Sequence, residues 1–514
     1  MQQPDLHAAK IEVDRVSVGI PARRFHIKST IAFDTSVPLV TEFVLRLTRL
    51  AGDIKLSTLQ RYFGFSNRET MVLLGELTQL GLLEFDGEYV QLGPQGREAF
   101  RGTSEDDPRI VAAEQREGNI AFERVTATPL ERVRYDTKVP RGLIPLPIRD
   151  REKAARLADE AAKSFQRHFK EIATEYFSLP KSAQRAYVYS VDEVSARRTF
   201  TYELSLPIVL AYGSQANCSV DFGKLYERGL RGSRDELIAL VAEHCSKHFG
   251  ALTDGRDALD FVSEFDGGAL TGWFSDLTNS EAQVRDWANY CVQFSQQAAS
   301  NVTVPFVGSN VAPHVHDLLV DRTSSGFGDE TPEHFVYWLR PSVPYWGRSS
   351  AFELLIKDLS RLWAPRVTRV LLATSEDSLS EKDLVRAFRR DGDEQLFSIG
   401  LILKQQTVPG SVEVILRPGG WVMAIVYLVI DENSPHVPVG FFSTDDTIVR
   451  AAEAAVANRI APLKLTAHFA WGYPKVPFEQ TREVLEQDIA MWNERHLRDL
   501  ARKFLDETDE SDRS

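Results

Sequence analysis

The sequence predicts an α+β or α/β multidomain protein, in which a helical module precedes mixed sheets covered by helices. Its 514 residues are enough for roughly two to four domains. In residues 38–101 the apolar spacing changes from helical to alternating, and from residue 119 onward β-rich segments alternate with amphipathic helices. The predicted parts are 1–110 for a helical module with N-terminal strands, 119–340 for an α+β domain, 341–505 for an α/β domain and 506–514 for a disordered acidic tail. Residues 102–118 are polar and charged and are predicted to form a linker or a loop.

Residues 38–101, called the N-terminal module below, have the most consistent local signals in the chain. A helix is predicted after Pro38, and four apolar residues at helical spacing are expected to form its buried face: Leu39, Phe43, Leu47 and Leu50. Gly52 follows that helix, in the place of a left-handed residue that ends it. A short second helix is predicted at 56–63. The apolar residues of the third are Met71, Leu74, Leu77 and Leu80.

Ser66 and Glu69 have the spacing of a capping box at the start of the third helix. In that motif the serine hydroxyl accepts from the Glu69 amide, while the Glu69 carboxylate accepts from the Ser66 amide. After Gly81 the pattern alternates around Asp86-Gly87, a dipeptide typical of tight hairpins. Three helices followed by a hairpin are the plan of a helix-turn-helix with a wing.

The N-terminal module resembles the winged helix-turn-helix of the MarR and PadR families. The resemblance implies that the third helix enters the DNA major groove. The residues that would contact DNA at its start are Ser66, Asn67, Arg68 and Thr70, and the supporting cations are Arg46, Arg49, Lys55 and Arg61. The acidic residues of the third helix and wing tip would repel phosphate: Glu69, Glu76, Asp86 and Glu88. Contact with a partner protein therefore stays open beside contact with DNA.

Composition and charge limit the class of protein. The net charge of −13 argues against a chain that binds polyanions over its whole surface, although a local basic patch remains compatible with it. Three cysteines, without paired spacing, favour a reducing cytoplasm. We expect no signal peptide and no membrane span, because the first residues are charged and the apolar runs are short.

Residues 352–459 resemble a phospholipase D-like domain in the order of their predicted elements. Predicted strands at 412–416 and 421–430, then the strand VPVGFFS and a helix at 447–459, follow that layout. When Asp431 is placed at the family's aspartate, Ala424 takes the position of the nucleophilic histidine and Val426 that of the phosphate-binding lysine. Gly440 matches the family glycine and Phe441 replaces the family serine or threonine. The resemblance thus implies a domain without that activity, and an unrelated α/β domain is the alternative.

Other short patterns of the sequence are candidate sites. His244 and His248 are four residues apart on a predicted helix, a spacing compatible with a metal but without an obvious third ligand. His314 and His316 are predicted to share one face of a strand, near Asp317 and Asp321. Gly308-Ser309-Asn310 and the similar 213–217 are expected to be loops. In 340–348, arginines stand beside aromatic residues. Such side chains can stack on bases or bind phosphates, and they can equally pack together in the core of a turn.

The sequence favours a non-catalytic, DNA-associated or adaptor subunit of a bacterial DNA-directed assembly, such as an anti-phage defence system. Its expected partners are DNA, a protein or both, and the chain could also form homo-oligomers. No cofactor or metal is assigned. One alternative is a metal-dependent nuclease or phosphodiesterase with a site around His314 and His316. Another is a scaffold that binds only proteins.

Overall fold

A computed structural model describes residues 9–100, 108–130, 139–177, 184–223, 231–249, 255–274, 277, 280–295, 302–324, 334–363, 367–374, 380–389, 396–404, 406–431, 434–460, 469–472, 483 and 487–488. The predicted disordered tail, 506–514, lies outside these residues.

The described helices are α1 (Leu39–Ala51), α2 (Leu56–Phe63), α3 (Asn67–Gln79), α4 (Pro94–Ala99), α5 (Arg151–Ala155), α6 (Leu157–Arg167), α7 (Phe169–Tyr176), α8 (Arg231–Phe249), α9 (Arg256–Ser263), α10 (Ser280–Ser295), α11 (Pro313–Thr323), α12 (Ser350–Trp363), α13 (Glu381–Phe388) and α14 (Asp446–Ile460). The described strands are β1 (Lys10–Ser36), β2 (Ile54–Lys55), β3 (Leu83–Phe85), β4 (Tyr89–Leu92), β5 (Arg109–Glu123), β6 (Ile144–Pro145), β7 (Gln184–Tyr212), β8 (Ala216–Val220), β9 (Thr303–Val307), β10 (His334–Leu339), β11 (Val367–Thr374), β12 (Ile399–Leu403), β13 (Val412–Arg417), β14 (Trp421–Leu428), β15 (Val437–Ser443) and β16 (Phe469–Trp471).

The protein is an α+β chain that divides into two compact units. Unit 1 comprises residues 1–20, 138–147 and 201–514, and unit 2 comprises 21–137 and 148–200. Because β1 and β7 contribute residues to both units, the units interleave along the chain, whereas the sequence-based division is sequential.

Unit 2 contains the N-terminal module and a second core. In the module, helices α1 to α3 pack with a small antiparallel sheet in the order β2-β4-β3. The predicted capping box is confirmed: Ser66 N donates to Glu69 Oε2 at 2.8 Å, and Glu69 N donates to Ser66 Oγ at 3.3 Å. The hairpin turn is also confirmed, with Gly87 at φ +103°. Gly96 packs so closely on β3 that an added Cβ would lie 2.0 Å from the Leu82 carbonyl oxygen.

The buried face of α1 differs from the prediction. The buried side chains are Thr41, Val44, Leu45 and Thr48. The predicted face was Leu39, Phe43, Leu47 and Leu50, of which Leu47 is half-buried and the others are exposed. Thr48 Oγ1 donates to the Val44 carbonyl at 2.8 Å, so its hydroxyl is satisfied within the helix and its methyl group packs as a small apolar group. In α3, Leu74 and Leu77 are buried as predicted, while Met71 and Leu80 are exposed.

The second core of unit 2 packs α6 and α7 on the paired strands β1 and β5, with Phe25, Phe122 and Phe165 buried at its centre. The predicted linker at 102–118 is wrong for residues 109–118, which pair antiparallel with β1 as part of β5. Charged side chains project from this strand, among them Glu114, Arg116 and Glu117. An edge strand of a sheet often carries charged residues, so its composition resembles that of a loop, which explains the incorrect prediction.

The largest sheet belongs to unit 1 and has the order β16-β12-β11-β10-β13-β14-β15-β9. Strands β10, β11 and β12 are parallel, and the remaining pairs are antiparallel, so the predicted mixed sheet is confirmed. Every residue of β14 and β15 is buried, as expected for a sheet covered on both faces.

The predicted strand through His314 and His316 is a helix, α11. Pro313 stands in its first turn, where the missing amide hydrogen has no cost. Val315 and Leu319 are buried four residues apart, a helical spacing that the alternation of histidine and valine obscures.

Candidate functional site

The start of α3 is the surface that the resemblance assigns to DNA. Ser66 is occupied by the capping box, and Asn67 Oδ1 accepts from Gln60 Nε2 at 3.1 Å. Thr70 is fully buried, and its hydroxyl donates to the Ser66 carbonyl at 2.9 Å, so its side chain does not face solvent. Arg68 is exposed. Of the four residues assigned to base contact, Ser66, Asn67 and Arg68 are thus exposed, and the Ser66 side chain is already engaged in the capping box.

The supporting cations of the N-terminal module have neighbours of their own. Arg46 forms an ion pair with Glu42 at 3.0 Å, and Lys55 forms one with Glu88 of the wing tip at 3.5 Å. The Arg49 guanidinium lies 4.5 Å from the centre of the Phe100 ring. Arg61 is exposed in the last turn of α2. These local pairings reduce the positive charge that phosphates would meet.

The acidic groups of the same surface are held in their charged form. The Ser66 amide and hydroxyl lower the pKa of the Glu69 carboxyl. The Tyr89 and Glu88 amides lower the pKa of Asp86 in the hairpin turn. Both carboxylates are exposed, so they add negative potential at the helix start and the wing tip.

The apolar side chains that α1 turns away from the module core form an exposed face. Leu39, Phe43 and Leu50, called the α1 outer face below, are 67%, 47% and 77% exposed. Their spacings of four and seven residues place them on one side of the helix. Isolated exposed apolar residues are common on protein surfaces, whereas several on one helix face are typical of an interaction surface.

The residues of the phospholipase D-like resemblance lie on β14 and β15. Ala424 and Val426 are fully buried and pair with Phe441 and Val439 across the two strands. Gly440 is needed for packing, because an added Cβ would lie 2.3 Å from the Ala424 carbonyl oxygen. Asp431 follows β14 and is exposed. The aligned positions thus present no imidazole or ammonium group for phosphoryl chemistry.

The two histidine pairs differ in whether their side chains lie together: those on α11 are separated, and those on α8 are adjacent. Residues two apart on a helix point in divergent directions. His314 and His316 accordingly have separate contacts, with His314 Nε2 at 2.6 Å from the Val307 carbonyl and His316 Nε2 at 3.5 Å from Asp358. His244 and His248 do lie together on α8, with ring centres 4.9 Å apart. Over the described residues, no three metal-ligating side chains converge at either pair.

A buried polar network that the sequence did not predict lies beside β13 in unit 1. Glu413 is fully buried and accepts hydrogen bonds from Trp338 Nε1 at 2.6 Å, Asn310 Nδ2 at 2.5 Å and Tyr427 OH at 2.8 Å. Nearby, Asp14 is 3% exposed and accepts from Ser309 Oγ at 2.7 Å. The predicted Gly308-Ser309-Asn310 loop is therefore a buried link between the two carboxyl groups. In the similar segment, 213–215 form the turn between β7 and β8, whereas Ala216 and Asn217 already pair with β7 as part of β8.

Burial raises the pKa of both carboxyl groups in this network. The pKa of Asp14 rises to about 7, although the Ser309 hydroxyl and the Arg15 amide oppose the shift. The pKa of Glu413 also rises to about 7, despite the Trp338 and Tyr427 hydrogen bonds. Two acids that ionise near neutral pH resemble catalytic groups. Their burial and their hydrogen bonds, however, indicate a role in fixing β1, β13 and the turn after β9.

One sequence signal does point to this network. Glu413 is the single acidic residue of the apolar strand segment VEVILR, and Asp14 is a buried acid among the valines of IEVDRV. A carboxyl group in such a position needs donors to offset its burial. Local patterns do not identify these donors, which come from distant parts of the sequence.

The comparisons with known proteins add no relative: no protein-family model matches the chain, and no curated protein matches it in sequence. Among the described residues, no helix has both the length and the apolar character needed to cross a membrane.

Proposed function

We propose that the chain is a non-catalytic adaptor subunit whose N-terminal module binds a partner protein through the α1 outer face. The observation that carries the proposal is the exposure of Leu39, Phe43 and Leu50 on one side of α1. Burying a leucine or phenylalanine side chain in an interface contributes about 1.5–3 kcal/mol. A partner that covers these residues gains affinity from side chains that contribute little to the core of the free module.

Charge supports protein contact over DNA contact. Glu42 and Glu88 pair with Arg46 and Lys55, and Glu69 remains ionised at the start of α3. Each such acid lowers the potential that attracts phosphate. The setting that we infer is a bacterial DNA-directed assembly such as an anti-phage defence system, in which another subunit performs the chemistry.

A photo-crosslinking experiment tests the proposal in cells that express the assembly. Phe43 is replaced by a photoreactive phenylalanine analogue in the full chain. We expect one discrete adduct with another polypeptide, and we expect Leu39→Ser with Leu50→Ser to abolish it. The same analogue at Gln91, an exposed position of β4, serves as the matched control. Equal adduct patterns from positions 43 and 91 would contradict the proposal.

Direct DNA contact is the second candidate, and the exposure of Arg61 and Arg68 on α2 and α3 favours it. In a winged helix-turn-helix these helices face the duplex. If both arginines contact phosphates, replacing them lowers the slope of log affinity against log salt concentration by about two, because about two fewer counterions are released on binding. The two candidates thus predict different outcomes for the same titration.

A further inference from the structure

Unit 1 contains a cavity of about 490 Å³ that the function proposed above does not use. One wall is the segment 139–145, which includes β6, and the opposite wall is formed by α13 and the turn that precedes α12. Thr201 of β7 closes one side. The volume lies within the range of about 300–1,000 Å³ that is usual for small-molecule sites.

Charge distinguishes this cavity from the rest of the chain. Its ionisable lining residues are Arg141, Arg348, Arg386 and Asp383. Three guanidinium groups and one carboxylate leave a formal charge of +2, although the whole chain carries −13. Such an excess of positive charge in a concave site attracts anions.

Arg348 is the best-placed of the three arginines. Burial lowers the pKa of its guanidinium, and the charge of Asp383 partly offsets this effect. Arg348 Nε is buried and, among the described residues, has no acceptor to which it donates a hydrogen bond. A buried donor of this kind has an energetic cost that an anionic ligand would remove. The Asp383 carboxylate is partly engaged already, because it accepts from the Ser380 hydroxyl at 2.7 Å.

Close packing fixes the cavity walls. Gly347, at φ +70°, lies against Phe388, so that an added Cβ would be 2.7 Å from the ring. This contact holds Arg348 beside α13. On the other wall, Gly142 at φ +87° approaches Ala387, where an added Cβ would be 2.9 Å from the alanine methyl group. Arg141 and Arg348 each adjoin one of these closely packed glycines. A site whose charged groups stand on fixed backbone loses less entropy when it binds a ligand.

We propose that this cavity binds a small molecule through a dianionic phosphate monoester group. The charge of +2 matches a group that carries about −1.5 to −2 at pH 7. Arginine forks match the geometry of phosphate oxygens and bind them in pairs. Thr201 adds a hydroxyl-bearing side chain to the lining, which also includes the apolar side chains of Val139, Leu143 and Ile144.

Isothermal titration of the full chain with AMP, adenosine and inorganic phosphate at constant ionic strength tests this proposal. We expect AMP to bind, phosphate to compete with it and adenosine not to bind. Arg348→Gln should weaken AMP binding by at least about tenfold, because hydrogen bonds to charged groups are strong. Arg386→Gln should weaken it by about threefold, since that side chain is exposed.

Lys382→Gln is the matched control, because Lys382 is an exposed cation of α13 outside the cavity lining. We expect it to leave AMP affinity unchanged. If the Arg348→Gln chain does not fold, the comparison of Arg386→Gln with Lys382→Gln decides. Absence of AMP binding at about 10 mM, equal binding of adenosine, or equal weakening by the control substitution would overturn the proposal.

Discussion

The Ser309 hydroxyl donates a hydrogen bond of 2.7 Å to Asp14 Oδ1, joining residues that lie 295 positions apart in the sequence. The Ser309 amide also donates to the Val13 carbonyl, at 2.7 Å. These two bonds fasten β1 to the turn after β9 within unit 1. Asn310, the next residue, donates to Glu413 of β13, so one turn connects two buried carboxyl groups.

The first prediction concerns the donors around Glu413. Glu413→Ala leaves Asn310, Trp338 and Tyr427 without their acceptor in a buried site. We expect the free energy of unfolding of unit 1 to fall by about 3–5 kcal/mol. All eight tryptophans follow residue 201, so tryptophan fluorescence during urea unfolding reports on unit 1. Glu413→Gln, which retains the shape and one acceptor oxygen, should cost about 1 kcal/mol or less; equal losses in the two variants would contradict this role.

The second prediction concerns the dependence of stability on pH. The pKa values of Asp14 and Glu413 are raised to about 7 in the folded chain, whereas unfolded carboxyl groups ionise near about 4. The folded state therefore binds more protons between these values, and the free energy of unfolding falls as pH rises from about 4 to 7. Tryptophan-monitored urea midpoints across this range should show the fall, and Glu413→Gln should make it shallower. An unchanged slope in that variant would mean that Glu413 does not titrate there.

The third prediction separates the two faces of α1. Leu45 is fully buried, so Leu45→Ala should reduce the stability of the N-terminal module by about 2–5 kcal/mol. Leu50→Ser on the exposed face should change it by less than about 0.5 kcal/mol. Hydrogen exchange of residues 38–101 in the full chain measures both effects. Similar losses would show that the outer face is covered within the free protein.

The fourth prediction compares two glycines of the same module. Gly75 is exposed on α3, with open space around an added Cβ, so Gly75→Ala should stabilise the helix by about 0.5–1 kcal/mol. Gly96→Ala would place its methyl group 2.0 Å from the Leu82 carbonyl oxygen and should destabilise α4 against β3. Hydrogen exchange of 82–100 distinguishes these outcomes. Tolerance of alanine at 96 would contradict the close approach of α4 to β3.

Features set by neighbouring residues could be predicted from the sequence. The Ser66–Glu69 capping box and the Asp86-Gly87 hairpin each depend on fewer than about five consecutive residues. The buried strand β14 was also predicted, because its apolar run has too few residues for a membrane helix and ends at polar positions.

Features set by distant contacts could not be predicted. Thr41 and Thr48 are buried in α1 because other elements cover them, although leucines in the same helix are more apolar. The carboxyl–donor pairs of the buried network and the arginines of the cavity join segments that are far apart in sequence. A single sequence carries no signal for such pairings.

The most direct test of the adaptor proposal is the binding of duplex DNA to the purified chain across a salt series, with Arg61→Ala/Arg68→Ala as the comparison. The proposal predicts weak affinity at low salt, with a dependence on salt that the double substitution leaves unchanged. Tight binding that falls steeply with salt, with a slope reduced by about two in the double variant, would contradict it and assign the N-terminal module to DNA.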